Sequence, residues 1–419
     1  MMPVESTNPN PWSLAPFVIL LTAMALAPLL VPVWWTRHYA KVAFGLGAIT
    51  CAYYHFGLQA AGEVGHTAHE YVSFVTLVGG LFVVSGGIHI GVKGGGGPLG
   101  NVTFLFAGAV LANVLGTTGA AMLLIRPWIR LNQGRIKAYH IVFFIFLIAN
   151  VGGCLTPIGD PPLFLGYLQG LPFWWVARSC WPMWAVGVGL LLGIFYVLDL
   201  RDHARNRVEP AAGGSWRFEG RTNLVFLAIM LGAVLVDRPV FLREGLMAAA
   251  AIGSYFTTRK SVHAANGFNF HPIQEVAVLF AGIFATMMPA LDWLHGHAAD
   301  LMGQNPAPGV FYWGTGLLSS VLDNAPTYLA FFSSLNGMAG TPEASILLQH
   351  FSASVIGISV GAVFFGAATY IGNGPNFMVR AIAVQEKIPM PSFAAFVLQF
   401  TLPFLLPVLL VVWLLFFCG

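Results

Sequence analysis

A long apolar run, 140–153 on one side and 163–171 on the other, is interrupted by Thr156-Pro157-Ile158-Gly159-Asp160-Pro161-Pro162. Each flank reads as membrane helix. Proline has no N–H and clashes with the preceding turn. A bilayer core holds no water to satisfy the freed backbone, so such a break persists only inside protein or along a cavity. An aspartate at that depth is a functional-site hypothesis by default. The rest of the chain must therefore wrap this stretch.

The chain has the segments to do so. Only 8% of its residues are charged, against about 25% in soluble domains. Apolar runs of roughly 17–25 residues, each enough to cross a bilayer, recur along it. Spans are expected at about 14–35, 42–60, 72–92, 139–170 (broken), 179–199, 222–236, 240–258, 274–294, 345–386 (broken) and 392–417. The longest polar interval is Arg201 to Arg221, which leaves no room for a soluble domain. Residues 1–13 form a polar tail with Glu5 and no lysine or arginine, so the first apolar run reads as a retained helix. The four cysteines, Cys51, Cys154, Cys180 and Cys418, are isolated and suggest neither zinc nor disulfides. No GxxxxGK[ST] loop is present, and Gly94–Gly97 runs into Pro98 as a turn, which argues against an ATP-driven pump.

Two further apolar runs behave differently. The run 101–130 is interrupted by Asn113-Val114-Leu115-Gly116-Thr117-Thr118-Gly119, and 310–335 by Asp323-Asn324-Ala325-Pro326-Thr327. Each half is too short to cross, so each run is expected to be a re-entrant helical hairpin. The positive-inside rule supports this. With two hairpins, 16 of the 19 lysines and arginines fall on one side, leaving Arg178, Arg238 and Arg243 on the other. The linker 201–221 is then cytoplasmic, and both termini and the 295–309 loop lie outside.

The chain also repeats. Leu77–Phe82 matches Leu279–Phe284 at an offset of 202, Leu111–Leu115 matches Leu318–Leu322 at 207, and Thr156–Pro162 matches Thr369–Pro375 at 213. Each repeat holds an odd number of crossings, so the two must be inverted. The expected fold is an all-α polytopic membrane protein of two inverted repeats, 14–200 and 222–419. It has about ten transmembrane helices, two of them broken, and two re-entrant hairpins. Inverted repeats with paired Gly/Pro breaks point to a secondary transporter whose site lies at the repeat interface.

Four breaks should therefore meet near the midplane. Asp160 and Asp323 are the acids among them; Thr156, Asn113, Thr117, Asn324, Thr369, Asn373 and Asn376 are the neutral candidate ligands. Their carbonyl, hydroxyl and carboxylate oxygens suit a hard cation such as Na⁺. A carboxylate away from water holds its proton more readily, so it can exchange a proton for a cation near neutral pH. The alternative for every one of these residues is helix capping. Glu63-Val64-Gly65-His66-Thr67-Ala68-His69-Glu70 gathers His and Glu but is not HExxH, and reads as a solvated outer loop. Trp34-Trp35 and Phe173-Trp174-Trp175 fit interface anchoring.

The stretch Gly153–Pro162, with Ser319-Ser320-Val321-Leu322-Asp323-Asn324-Ala325-Pro326-Thr327, resembles the ion transporter superfamily from about residue 72 onward. That group contains NhaD-type sodium/proton antiporters, arsenite efflux permeases, citrate/metal symporters and sodium/dicarboxylate carriers. The resemblance implies a scaffold with a moving transport domain, a homodimer, and ion binding at Thr156, Asp160, Asp323 and Asn324. Pro161-Pro162 stand where antiporters of this type carry Val-Thr-Thr-like residues, and Ile371–Asn376 lacks a Ser-Asn-Thr triplet.

The reading that follows is a Na⁺(Li⁺)/H⁺ antiporter of the bacterial inner membrane, because two carboxylates and no basic residue lie at the breaks. The alternative is a citrate, dicarboxylate or arsenite-type anion carrier. No cofactor is implied beyond a coupling Na⁺ or H⁺. The partners are the lipid bilayer and a small ion or anion; nothing suggests nucleic acid. A membrane enzyme lacks a nucleophile and base pair.

Overall fold

Prolines mark where many of the helices begin. Pro16, Pro32, Pro98, Pro161, Pro308 and Pro375 each sit in the first two positions of a helix. There the missing N–H costs nothing and the fixed φ is already helical. The structure is a computed structural model that describes residues 9–91, 96–205, 217–236, 238–239, 241–302, 306–340 and 343–418. Parts of the expected tail 1–13, the glycine turn at 94–97, the linker 201–221 and the loop 295–309 lie outside those residues.

The chain is helical almost throughout. Ala15–Leu30, Pro32–Ala52 and Ala61–Gly86 come first, followed by the run Pro98–Leu131 and the broken pair Ala138–Leu147 and Pro161–Leu168. Phe173–Arg205 completes the first half. Asn223–Val234, Leu242–Thr257 and His271–Met302 open the second. Then come Pro308–Val321 with Asn324–Ala339, Ser352–Gly366 with Gly374–Gln385, and a last stretch through Phe393–Phe396 and Leu406–Phe416. Two three-residue strands, His89–Gly91 and Arg217–Glu219, pair antiparallel. Among the described residues six helices are long and apolar enough to cross a membrane, or seven if Ala344–His350 and Ser352–Gly366 count as one span. The protein is a multi-pass membrane protein.

By length alone Pro98–Leu131 would count as one of those spans. Its ends, however, are joined: Gly96 N donates to Leu131 O at 3.0 Å. The run turns back at Gly116, whose φ of 73° and ψ of 156° interrupt the helix. That backbone is available to glycine and strained for other residues. The second hairpin turns at Leu322-Asp323, and Gly314 lies against Phe331 across it. The two turns differ because Asp323 caps its following helix, accepting from Ala325 N at 3.1 Å, whereas Gly116 changes direction by itself.

Close backbone approach joins each hairpin to its broken span, as small residues permit in a membrane interior. Gly152 packs on Ala109 in the first half, and Gly316 packs on Phe365 in the second. These are the same two positions, at the offsets 207 and 213, with the glycine on opposite partners. Hydrogen bonds repeat at these offsets too. Thr156 Oγ1 donates to Asn113 O, and Thr369 Oγ1 to Ser320 O, each at 2.6 Å.

Charged groups gather on two faces. On one, Arg135 pairs with Asp199, Lys137 pairs with Asp202, and Asn101 Nδ2 donates to Asn132 Oδ1 at 2.7 Å and to Asp199 Oδ2 at 2.9 Å. On the other, Arg243 Nε lies 3.0 Å from Glu244, and Gln169 Nε2 donates to Glu70 Oε1 at 2.7 Å.

Several sequence boundaries shift. The second helix starts at Pro32 rather than about 42, and it carries Arg37 and Lys41 in its first half, where long basic side chains can extend toward water. The 63–70 segment is not a loop: it forms the first turns of Ala61–Gly86, with Glu70 buried. The 295–309 loop is helical as far as Met302. The expected 345–386 span is kinked twice, because Ala344–His350 bends by 101° from Ser352–Gly366. The interruption expected over Asn113–Gly119 is confined to Gly116.

Candidate transport site

Asp160 stands at the N-cap of Pro161–Leu168, yet its side chain makes no capping bond. The reason is local. Pro161 and Pro162 supply no N–H, so the carboxylate has little to cap and turns toward its neighbours. It is 1% exposed. Thr117 Oγ1 donates to Oδ1 at 2.7 Å, Asn373 Nδ2 to Oδ1 at 3.0 Å, and Asn324 Nδ2 to Oδ2 at 2.5 Å. These donors come from the first hairpin tip, the second broken span and the second hairpin tip. All four breaks therefore meet on one carboxylate. Three hydrogen bonds to one buried carboxylate offset the cost of taking it out of water.

The donors are paired through the repeat. Asn373 is the residue 213 positions after Asp160, and Asn324 is 207 positions after Thr117. Equivalent residues meet where the two halves touch. Asn324 Oδ1 is buried with no hydrogen-bond partner among the described residues.

The remaining candidates face elsewhere. Thr156 and Thr369 tie their loops to hairpin backbone, as above. Asn113 donates to Gly152 O at 2.6 Å and accepts from Leu155 N at 2.8 Å. Asn376 donates to Gly366 O at 2.8 Å and to Thr369 O at 2.9 Å. These four hold the breaks open by satisfying freed backbone groups. Asp323 does not bond Asp160; it lines a cavity.

Sequence reading missed Asn150. It donates to Asn376 Oδ1 at 2.7 Å and accepts from Asn373 Nδ2 at 3.2 Å, joining the two broken spans. A lone amide inside the apolar run before Val151-Gly152-Gly153 was the available signal. Arg126 and Glu275 were also missed, because only the fold brings them to the cavity.

That cavity holds about 610 Å³, within the range of roughly 300–1,000 Å³ usual for small-molecule sites. At one end it is bounded by Leu322, Asp323, Ile371, Asn373 and Gly374; Arg126, Gly267, His271 and Gln385 also line it. A second pocket, of about 20 Å³, lies at the first hairpin tip. Eight of its residues, Leu77, Val78, Leu115, Gly116, Pro157, Ile158, Pro161 and Phe164, have repeat counterparts lining the large cavity. Among the described residues no three His, Cys, Asp or Glu side chains are grouped to hold a metal ion.

A family of sequences described as "Putative citrate transport" matches residues 6–417, nearly the whole chain. The chain belongs to this citrate-transport family. No curated protein matches it. Membership places it in the ion transporter superfamily with citrate, arsenite and NhaD-type carriers. As a member of the citrate-transport family, it is a secondary carrier of ions or anions and not an enzyme. The antiporter reading rested on two carboxylates and no basic residue at the breaks. Arg126 brings a basic group to the cavity that borders two of those breaks, and the family description favours the anion alternative.

Proposed function

We propose that this protein carries a citrate-class carboxylate together with Na⁺ or H⁺ across a bacterial inner membrane. The observation that carries the proposal is the Asp323 end of the large cavity. Two half-helices, Asn324–Ala339 and Gly374–Gln385, begin there, and both N-termini border the same space. Helix N-termini attract anions through free N–H groups and the helix dipole. Asp323 stands at the same place. A carboxylate substrate beside Asp323 brings like charges together, and a cation or proton between them removes the repulsion. Substrate and coupling ion would then bind as one unit. Asp160, with Thr117, Asn324 and Asn373, fixes the geometry of both tips behind that site.

The two unequal pockets support alternating access. The same repeat positions surround an open cavity in one half and a space for a single water in the other. If the repeats are inverted, 14–200 against 222–419, exchanging the two arrangements opens the opposite face. The positive-inside rule puts the open cavity toward the cytoplasm. The proposal includes a homodimer of scaffold domains, which follows from the resemblance alone.

Uptake of labelled citrate into proteoliposomes tests it, with Na⁺ and pH gradients imposed separately. Citrate accumulation driven by either gradient, and lost in Asp323→Asn, is the expected result. Na⁺-driven proton movement without any citrate movement would return the antiporter reading.

A further inference from the structure

Arg126 lies in the second arm of the first hairpin, nine residues after Thr117, or about 13 Å along a helix. Its side chain lines the large cavity and is half-buried. Among the described residues no carboxylate lies within ion-pair distance of it. Glu386 and Arg130 are the charged groups that act on it through space, with opposite signs. The other titratable groups lining this cavity are Glu275, His271, Asp323, Tyr39 and Tyr370.

The guanidinium is held in place by a specific backbone. Gly267 ends the helix Lys260–Asn266 in the left-handed region, at φ 55°. A Cβ there would lie 2.7 Å from Arg126 Nη2. So the head of Arg126 is seated on bare backbone, between a hairpin arm and a loop of the basic face. The nearby amides are already engaged: Asn266 donates to Gly86 O and Ile88 O, and Asn269 accepts from His271 N. They position the loop, and the guanidinium is the one permanently charged donor on this wall among the described residues. A partly desolvated guanidinium with no carboxylate in contact, only Glu386 acting from a distance, is costly to keep. An anion from solution meets that cost, and the planar fork fits a carboxylate bidentately.

We infer that Arg126, seated against Gly267, is a capture subsite for di- and tricarboxylates on the mouth side of the cavity, separate from the hairpin-tip site. This rests on the citrate-class reading and deepens it. The subsite collects the anion from the basic face before it reaches Asn373 and Asp323. A cavity with low-dielectric walls concentrates the field of such a charge.

Titration calorimetry on the purified full-length protein in detergent tests it, with citrate, tricarballylate and sulfate as probes. Wild-type protein is expected to bind citrate. Arg126→Gln should weaken this about tenfold or more, and Arg126→Lys by less. Gly267→Ala should weaken it by displacing the guanidinium. An unchanged melting temperature in Arg126→Gln shows that the fold is intact. Equal citrate and sulfate affinity in wild type and Arg126→Gln overturns the subsite, even if citrate is transported. So does a wild-type protein that binds none of the three anions. If citrate or tricarballylate binding depends on Arg126 while proteoliposomes take up no citrate, the subsite stands and the citrate-transport reading falls.

Discussion

Breaking a polar contact at the end of the first broken span has a calculable effect. Gln169, just past the half-helix Pro161–Leu168, donates to the buried Glu70 at 2.7 Å, and Tyr167 OH donates to Val234 O at 2.9 Å. The repeat counterparts of Glu70 and Gln169 are Pro272 and Ile382, and both line the open cavity. The same two positions thus close one face and border the opening on the other. In the outward-open state Glu70 and Gln169 would each meet water. A hydrogen bond to a charged group contributes about 1.5–3 kcal/mol and a neutral one about 1 kcal/mol. Gln169→Ala removes the stronger contact only in the inward-open state. Since about 1.4 kcal/mol is tenfold in population, the outward-open fraction should rise about tenfold or more. The assay is labelling by a membrane-impermeant maleimide, in a background lacking the native cysteines. Val78→Cys reports the small pocket and Phe280→Cys its open counterpart. Labelling at Val78→Cys from outside should rise in Gln169→Ala, and labelling at Phe280→Cys from the basic face should fall. Unchanged rates at both positions would refute the clasp and the exchange of pockets on which it depends.

Other expectations follow from the same contacts. Asp160→Asn keeps the shape but turns one acceptor oxygen into an N–H donor that opposes the amide of Asn324 or Asn373, so transport in proteoliposomes should fall below detection while the protein still folds. Thr117→Val removes a single donor to that carboxylate and should reduce uptake about tenfold or more, with expression near normal. Gly116→Ala forces a side chain into a positive-φ, extended-ψ conformation that is essentially glycine's alone, with its Cβ 3.2 Å from Ile158 O, and should destabilise by about 1–3 kcal/mol in a thermal melt. Asp199→Ala leaves Arg135 buried and unpaired at the foot of the first hairpin, and should destabilise by about 3–5 kcal/mol in the same measurement.

Much of this molecule was readable before folding, because its local rules are strict. Low charge and long apolar runs require membrane helices. Pro161-Pro162, Gly116 and Gly374-Pro375 break them, and broken segments must be buried together. The repeat offsets and the charge count then led to two hairpins and to four breaks meeting near the midplane. Which polar side chains face one another was not readable. Thr117 reaches Asp160, while the equally plausible Thr156 turns to the backbone of Asn113. Asn324 and Asn373 lie 164 and 213 residues from the carboxylate they serve. Helices apolar on every side carry no periodicity to fix their rotation, so packing alone decides it. Packing also brought Arg126 from a span end to the wall of the cavity. The sequence by itself determined that an acid would sit at a break inside the membrane. Only the tertiary structure decided that the acid would be saturated by neutral donors and the open space lined by Arg126, because desolvation and hydrogen bonding act between neighbours in space.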